Sequence, residues 1–361
     1  MFYHIFYPLK SFFSPFNVFG YITFRSMMAI LTSLVLSFII GKKFISYFKK
    51  TQIIQSIRSD GPATHQKKEG TPTMGGVIIL LTLITSTLLW ARLDNRFILW
   101  TIVAVIWFGI LGFLDDYLKV IKKNPGGIKP STKLIGQIIF ALSVSIYLYF
   151  KPSNPQFSTV INIPYLKDVY IDIGIFYIVF STLVIVGSSN AVNLTDGLDG
   201  LAIGNIIIAA FSYVIFSYLA GHARFSQYLK IIPVPGAGEL AVFLSAMIGS
   251  GLGFLWFNGY PAEIFMGDTG SLFLGGAIGL IAVFTKQELI LIVVGGIFVI
   301  EVLSVIIQVS YFKRTKKRIF KMSPLHHHFE LSGWAEPKVT IRFWIIAIVL
   351  SLISLTSLKL R

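Results

Sequence analysis

The chain has 361 residues, of which 55% are hydrophobic and only 13% are charged, about half the charged share of a soluble domain. That deficit excludes an ordinary soluble globular protein, and the lack of cysteine excludes disulfides and thiolate metal sites. The net charge of +15 becomes informative once its distribution along the chain is read.

Ten apolar runs follow one another near 20–44, 74–91, 97–114, 133–150, 173–189, 200–220, 239–257, 270–285, 288–312 and 339–358. A helix needs about 20 apolar residues to cross about 30 Å of hydrocarbon. The pattern predicts an all-α polytopic membrane protein with about ten transmembrane helices, folded as one membrane-embedded domain over 1–361. The stretch before the first run has Phe, Tyr and two prolines but no small-residue cleavage site, so no signal peptide is expected. Several run ends are blurred by Gly and Ser, and the seventh and eighth runs are the least distinct.

Of the 31 Lys and Arg residues, 20 fall in the loops after runs one, three, five, seven and nine, and 11 on the opposite side. The richer side is expected to face the cytoplasm, with both termini outside. This places the protein in the cytoplasmic (inner) membrane as a multi-pass chain. Basic loops at a bilayer also attract anionic headgroups, so YFKRTKKRIFKMS (311–323) reads equally well as a lipid contact or a substrate contact. No nucleic-acid partner is expected.

Taken in chain order, the cytoplasmic loops collect the polar chemistry. EGTPTMGG (69–76) follows Lys67 and Lys68, which with Lys133 could meet an anionic substrate. FLDDYLK (113–119) ends the third run with Asp115 and Asp116. Neighbours on a helix point about 100° apart, so one acid is expected to act directly and the other to support it; plain solvation at a span end is the alternative. On the outer side, 157–172 alternates around a Pro and reads as a short β-hairpin without catalytic residues.

NAVNLTDGLDGLA (190–202) holds Asn190, Asn193, Asp196 and Asp199, with Gly197 and Gly200 allowing close backbone approach. If the sixth span begins here, Asp196 and Asp199 share a helix face, although either could simply cap the helix. Asp268 lies in GDTGS before the eighth run, where a helix N-terminus with free N–H groups suits phosphate. Glu301 is the one acid deep inside a run, with Gln308 seven residues on, and it fits either a bundle hydrogen bond or a site role.

PLHHHFE (324–330) contains His326, His327 and His328. Three consecutive histidines do not point the same way, so contact with substrate phosphate, or orientation of other groups, is preferred to zinc binding. Several carboxylates without cysteine suggest a hard cation, Mg²⁺, which takes one or two carboxylates plus phosphate oxygens and water.

PTMGG, the Asp pair, NAVNLTDGLDGLA, GDTGS and PLHHHFE, in this order, resemble the phospho-N-acetylmuramoyl-pentapeptide-transferases, a branch of the polyprenyl-phosphate N-acetylhexosamine-1-phosphate transferases. The likeness covers essentially the whole chain, and PTMGG with PLHHHFE is specific to that branch. It implies transfer of phospho-N-acetylmuramoyl-pentapeptide from the UDP-linked precursor to undecaprenyl phosphate, with Mg²⁺ as cofactor, giving lipid I and UMP for peptidoglycan synthesis. It implies Asp268 as a metal ligand with Asp115 and Asp116 close by, and Asp115 nearest the lipid phosphate. The same likeness gives Lys68, Thr73, Asn190, Asp196, Asn258, Phe265 and Gln308 to the nucleoside or phosphate pocket. His327 and His328 go to the sugar-phosphate side, and Lys133 sits beside the acidic centre. A homodimer and a broken ninth helix bordering a lipid groove are implied as well.

Two other readings compete. A sister transferase would use UDP-N-acetylglucosamine. A secondary transporter would carry its acids near the bilayer midplane, on interrupted helices in paired repeats, whereas these acids cluster at one face.

Overall fold

The computed structural model describes residues 1–50, 70–124, 126–166 and 169–359. The long helices are α1 (Ile22–Lys50), α2 (Gly76–Trp90), α3 (Arg96–Val120), α4 (Pro130–Phe150), α5 (Phe176–Thr195) and α6 (Leu201–Gly221). They continue with α7 (Leu240–Asn258), α8 (Gly267–Phe284) and α9 (Gly296–Thr315), then the short α10 (Leu325–Glu330) and α11 (Glu336–Thr356). Among the described residues, nine helices are long and apolar enough to cross a membrane, one fewer than the ten apolar runs.

The second run departs from its expected length. Its helix α2 has 15 residues, about 22 Å at 1.5 Å per residue, which is less than the hydrocarbon thickness. The residues before it are drawn into backbone pairing with the segment before α8. Phe265 N–H donates to the Pro72 carbonyl (2.8 Å), Gly75 N–H to that of Phe265 (2.8 Å) and Gly76 N–H to that of Met266 (2.8 Å). PTMGG is thus a strip clipped to the start of another helix.

The Gly- and Ser-rich runs seven and eight turn out to be the central helices. In α7 and α8, 83% and 89% of the apolar window is buried inside the protein, against 28% for α1. Small residues let helix backbones approach where apolar burial gives no drive between helices in lipid. A Cβ at Gly76 would stand 2.1 Å from the Gly270 nitrogen, and one at Gly112 would stand 2.3 Å from the Asp268 carbonyl oxygen. Both positions require glycine, and together they press α2 and α3 onto the first turn of α8.

The expected hairpin is present. Val160–Asn162 pairs antiparallel with Tyr170–Asp172, with Val160 opposite Asp172. The ninth run is interrupted: a helical turn, Ile290–Val294, ends at Gly295, and α9 starts afresh at Gly296. Ile300, Leu303, Ile306 and Ile307 on α9 are exposed, an apolar face suited to lipid tails.

Candidate active site

The site forms where the C-terminal ends of α3 and α5 meet the N-terminus of α8. Asp115 and Asp116 lie within α3, a turn before its end rather than at it, and both are buried. Their side chains do different work. The Asp268 and Thr269 N–H groups donate to Asp116 (3.1 and 2.8 Å), as does the Thr269 hydroxyl (2.6 Å). Asp116 therefore caps α8 and fixes Asp268 relative to α3.

This arrangement corrects one expectation. The first turn of α8 does not offer the N–H groups of Asp268 and Thr269 to phosphate, because Asp116 takes both. Unsatisfied donors in a buried helix start are costly, and here a carboxylate from α3 satisfies them.

Asp115 is held by a different set of groups. Its Oδ1 accepts the Ile128 N–H (2.7 Å), and its Oδ2 lies 2.7 Å from Lys119 Nζ and 3.6 Å from Lys133 Nζ. Asp268 Oδ2 accepts from both lysines, at 3.0 Å from Lys119 and 2.7 Å from Lys133, and its Oδ1 accepts from Asn193 Nδ2 (2.7 Å). Two carboxylates thus share two ammonium groups. Lys119 escaped the sequence reading, although its position four residues after Asp115 on a helix was the available signal.

The NAVNLTDGLDGLA stretch supplies one wall. Asn193 also donates to Ser271 Oγ (2.8 Å), and Asn190 Nδ2 donates to Gln137 Oε1 (2.7 Å) and the Val186 carbonyl (2.8 Å). Gln137, buried on an apolar helix, gave no sequence signal. Asp196 and Asp199 do not share a helix face as expected. α5 ends at Thr195 and α6 begins at Leu201, with Gly200 left-handed at φ 72° between them. Asp196 turns to α8. Burial pushes its carboxyl well above the usual carboxylate range, and Asp268, Asp116 and Asp199 push the same way.

Asp199 turns to the loop before α8, where its Oδ2 accepts the Ala262 N–H (3.0 Å), while its own N–H donates to Glu336 Oε1 (2.8 Å). Asn258 Oδ1 accepts the Gly200 N–H (3.1 Å) and its Nδ2 donates to the Ile264 carbonyl (2.9 Å). Both residues tie loops together beneath the cup. Gln308 does the same further out, its Oε1 accepting from Ile319 and Phe320 N–H (3.0 Å each). Thr73 is buried beside the clipped Pro72 strip, and Phe265 is the strip's partner. Lys67 and Lys68 lie outside the described residues.

The three histidines diverge, as consecutive residues on a helix must. His326 meets Glu301, His327 Nδ1 lies 2.9 Å from Glu330 Oε2, and His328 Nδ1 accepts the Lys321 N–H (3.1 Å). Among the described residues no three His, Cys, Asp or Glu side chains gather to hold a metal by themselves. The donor set still fits a hard cation. Asp115 and Asp268 stand together with ammonium charge between them, and Mg²⁺ needs only one or two carboxylates when phosphate oxygens and water complete its shell. Asp116 fits such a role poorly, since both its oxygens hold α8.

Comparison with known proteins identifies the family. The Glycosyl transferase family 4 model matches residues 98–286, which span α3 to α8, and the phospho-N-acetylmuramoyl-pentapeptide-transferase signature 1 matches residues 68–80. Phospho-N-acetylmuramoyl-pentapeptide-transferases from Endomicrobium trichonymphae, Geobacter sp. (strain M21) and Thermodesulfovibrio yellowstonii are 58%, 56% and 56% identical, each over the full length of both chains. The chain belongs to the phospho-N-acetylmuramoyl-pentapeptide-transferase family. The described part of its signature segment includes the PTMGG strip and the first turn of α2, which are clipped to the start of α8.

Proposed function

We propose that the protein transfers phospho-N-acetylmuramoyl-pentapeptide from its UDP-linked precursor to undecaprenyl phosphate, forming lipid I and UMP in peptidoglycan synthesis. One observation carries the reading: Asp115, Asp268, Lys119, Lys133 and Asn193 converge at the ends of membrane helices in a chain of this family. A bilayer-bound phosphate and a soluble nucleotide can meet only at such a boundary. By the positive-inside count the cup faces the cytoplasm, where a nucleotide-sugar is available.

Asp115 and Asp268 would hold Mg²⁺, which when bound neutralises diphosphate charge and stabilises the departing UMP. Lys119 and Lys133, two point charges on flexible stems, would bind the remaining phosphate oxygens. In the transfer, an oxygen of the lipid phosphate forms a bond to the sugar-linked phosphorus. The bond from that phosphorus to the oxygen it shares with the uridine phosphate breaks, and UMP leaves with the electron pair. Direct attack is preferred to a phospho-aspartate, because the lipid phosphate is itself a competent nucleophile. A phosphate monoester's second pKa is about 6, so the attacking oxygen is largely ionised at neutral pH. Asp115 then need only accept a residual proton.

The test is UMP release by the purified protein in detergent from UDP-N-acetylmuramoyl-pentapeptide, undecaprenyl phosphate and Mg²⁺, with loss of release on chelation. Turnover of UDP-N-acetylglucosamine in its place would point to the sister transferase. Radiolabel retained on Asp115 after nucleotide-sugar is supplied without lipid would replace direct attack by a covalent route. The protein is also taken to act as a homodimer, which its mass in detergent by light scattering would decide.

A further inference from the structure

Glu301 is a fully buried acid on α9, six residues after the break at Gly295, and the transfer step above does not use it. Its Oε1 accepts the His326 backbone N–H (3.2 Å), and its Oε2 lies 3.2 Å from His326 Nδ1. Neither of the latter two atoms makes a directed hydrogen bond among the described residues, so the two side chains meet by close packing. The other edge of the same imidazole lies against the acidic loop, where a Cβ on Gly197 would come within 2.2 Å of His326 Nε2. Gly197 directly follows Asp196 in the loop between α5 and α6. The His327 ring packs on that of His326 with centroids 4.2 Å apart.

We propose that Glu301 and His326 are positioning residues: the carboxylate seats the imidazole against the Gly197 backbone, docking α10 and α9 onto the acidic loop and presenting His327 to the cup. This inference rests on the transferase reading and deepens it. His326, with its ring 1% exposed, then acts through its neighbours rather than by touching substrate. A buried carboxylate with a single partner is costly to leave unpaired, and that cost holds the link together.

Glu301→Ala is expected to raise KM for the nucleotide-sugar about tenfold while KM for the lipid phosphate stays unchanged, because misplacement affects only the groups on the histidine side. Glu301→Gln keeps an acceptor for the His326 N–H and should recover most of that loss. Gly197→Ala inserts a methyl where the ring sits and should give the same one-sided rise. Combining it with His326→Ala should cost less than the product of the two single losses, because the methyl then has room. A fall in kcat with both KM values unchanged signals only a smaller folded fraction and overturns the proposal, as does a double variant that loses the full product.

An arm independent of turnover uses the absence of native cysteine. Spin labels on cysteines replacing the exposed Leu194 and Leu331 should give a sharp distance distribution that broadens in Glu301→Ala. An unchanged distribution overturns the link whether or not the chain releases UMP. Absence of UMP release by the unaltered protein would instead fault the transferase reading.

Discussion

Two clusters of charge at opposite ends of the helical bundle, built on different helices, make an instructive pair. At the end away from the cup, Arg25 on α1 holds Glu239, just before α7, through two bonds of 2.6 Å. Glu239 also accepts the Arg92 N–H, and Arg25 donates to the Trp90 carbonyl. The two side chains are 1% and 6% exposed. At the cup, Asp115 and Asp268 share Lys119 and Lys133, and Lys119 is 37% exposed. The planar fork of arginine closes its pair geometrically, whereas an ammonium is a movable point charge. The first cluster is therefore a sealed brace and the second an exchangeable one, in which phosphate or a cation can take over the pairing.

That contrast breaks most visibly at the brace. Arg25→Ala strands a buried carboxylate and should lower stability by about 3–5 kcal/mol, read as a drop in melting temperature in detergent. Turnover per folded molecule should be retained. Loss of turnover in well-folded protein would mean that the two ends are coupled.

Asp268→Asn should do the reverse. The fold is kept, because Asp116 still caps α8 through backbone N–H groups, while kcat falls about 10²–10³-fold. Near-normal Mg²⁺-dependent UMP release in that variant would remove Asp268 from the chemistry.

The smallest effect is expected at Asp94, half exposed at the sealed end and bonded to Arg92 (2.7 Å). The Arg92 hydrogen bond holds its carboxyl below the usual carboxylate range. Any stability it contributes is present above the ordinary carboxylate pKa and is lost as pH falls through the depressed one. Solvent and salt keep such a pair below about 1 kcal/mol, so Asp94→Asn should shift the melting temperature little at neutral pH. A large shift would show that exposure does not separate braces from surface pairs here.

The apolar runs carried the fold in plain view, because a segment that must sit in hydrocarbon declares itself by length and composition. Only the second run misled. Its apolar residues begin at Met74, but Gly75 and Gly76 are diverted into pairing with Phe265 and Met266, a contact almost 200 residues away in sequence. The Gly- and Ser-blurred runs seven and eight looked weak for the reason that makes them central, since close helix packing substitutes small residues for large apolar ones.

The cup was legible as a set of acids on one face but not as a division of labour. DD cannot say which acid caps a distant helix, and GDTGS cannot say that its N–H groups are already taken. Lys119 sat in view at helical spacing from Asp115 and was passed over, whereas Gln137 was invisible, being one polar residue in an apolar helix. Composition and motif order determined that this is a membrane-embedded member of its family with acids gathered at one face, because burial in lipid and phosphate chemistry both restrict residue type. Tertiary packing decided which carboxylates brace and which remain exchangeable. The same side chain becomes one or the other according to the donors that distant helices bring within about 3 Å of it, and that distance is not written in any local stretch of chain.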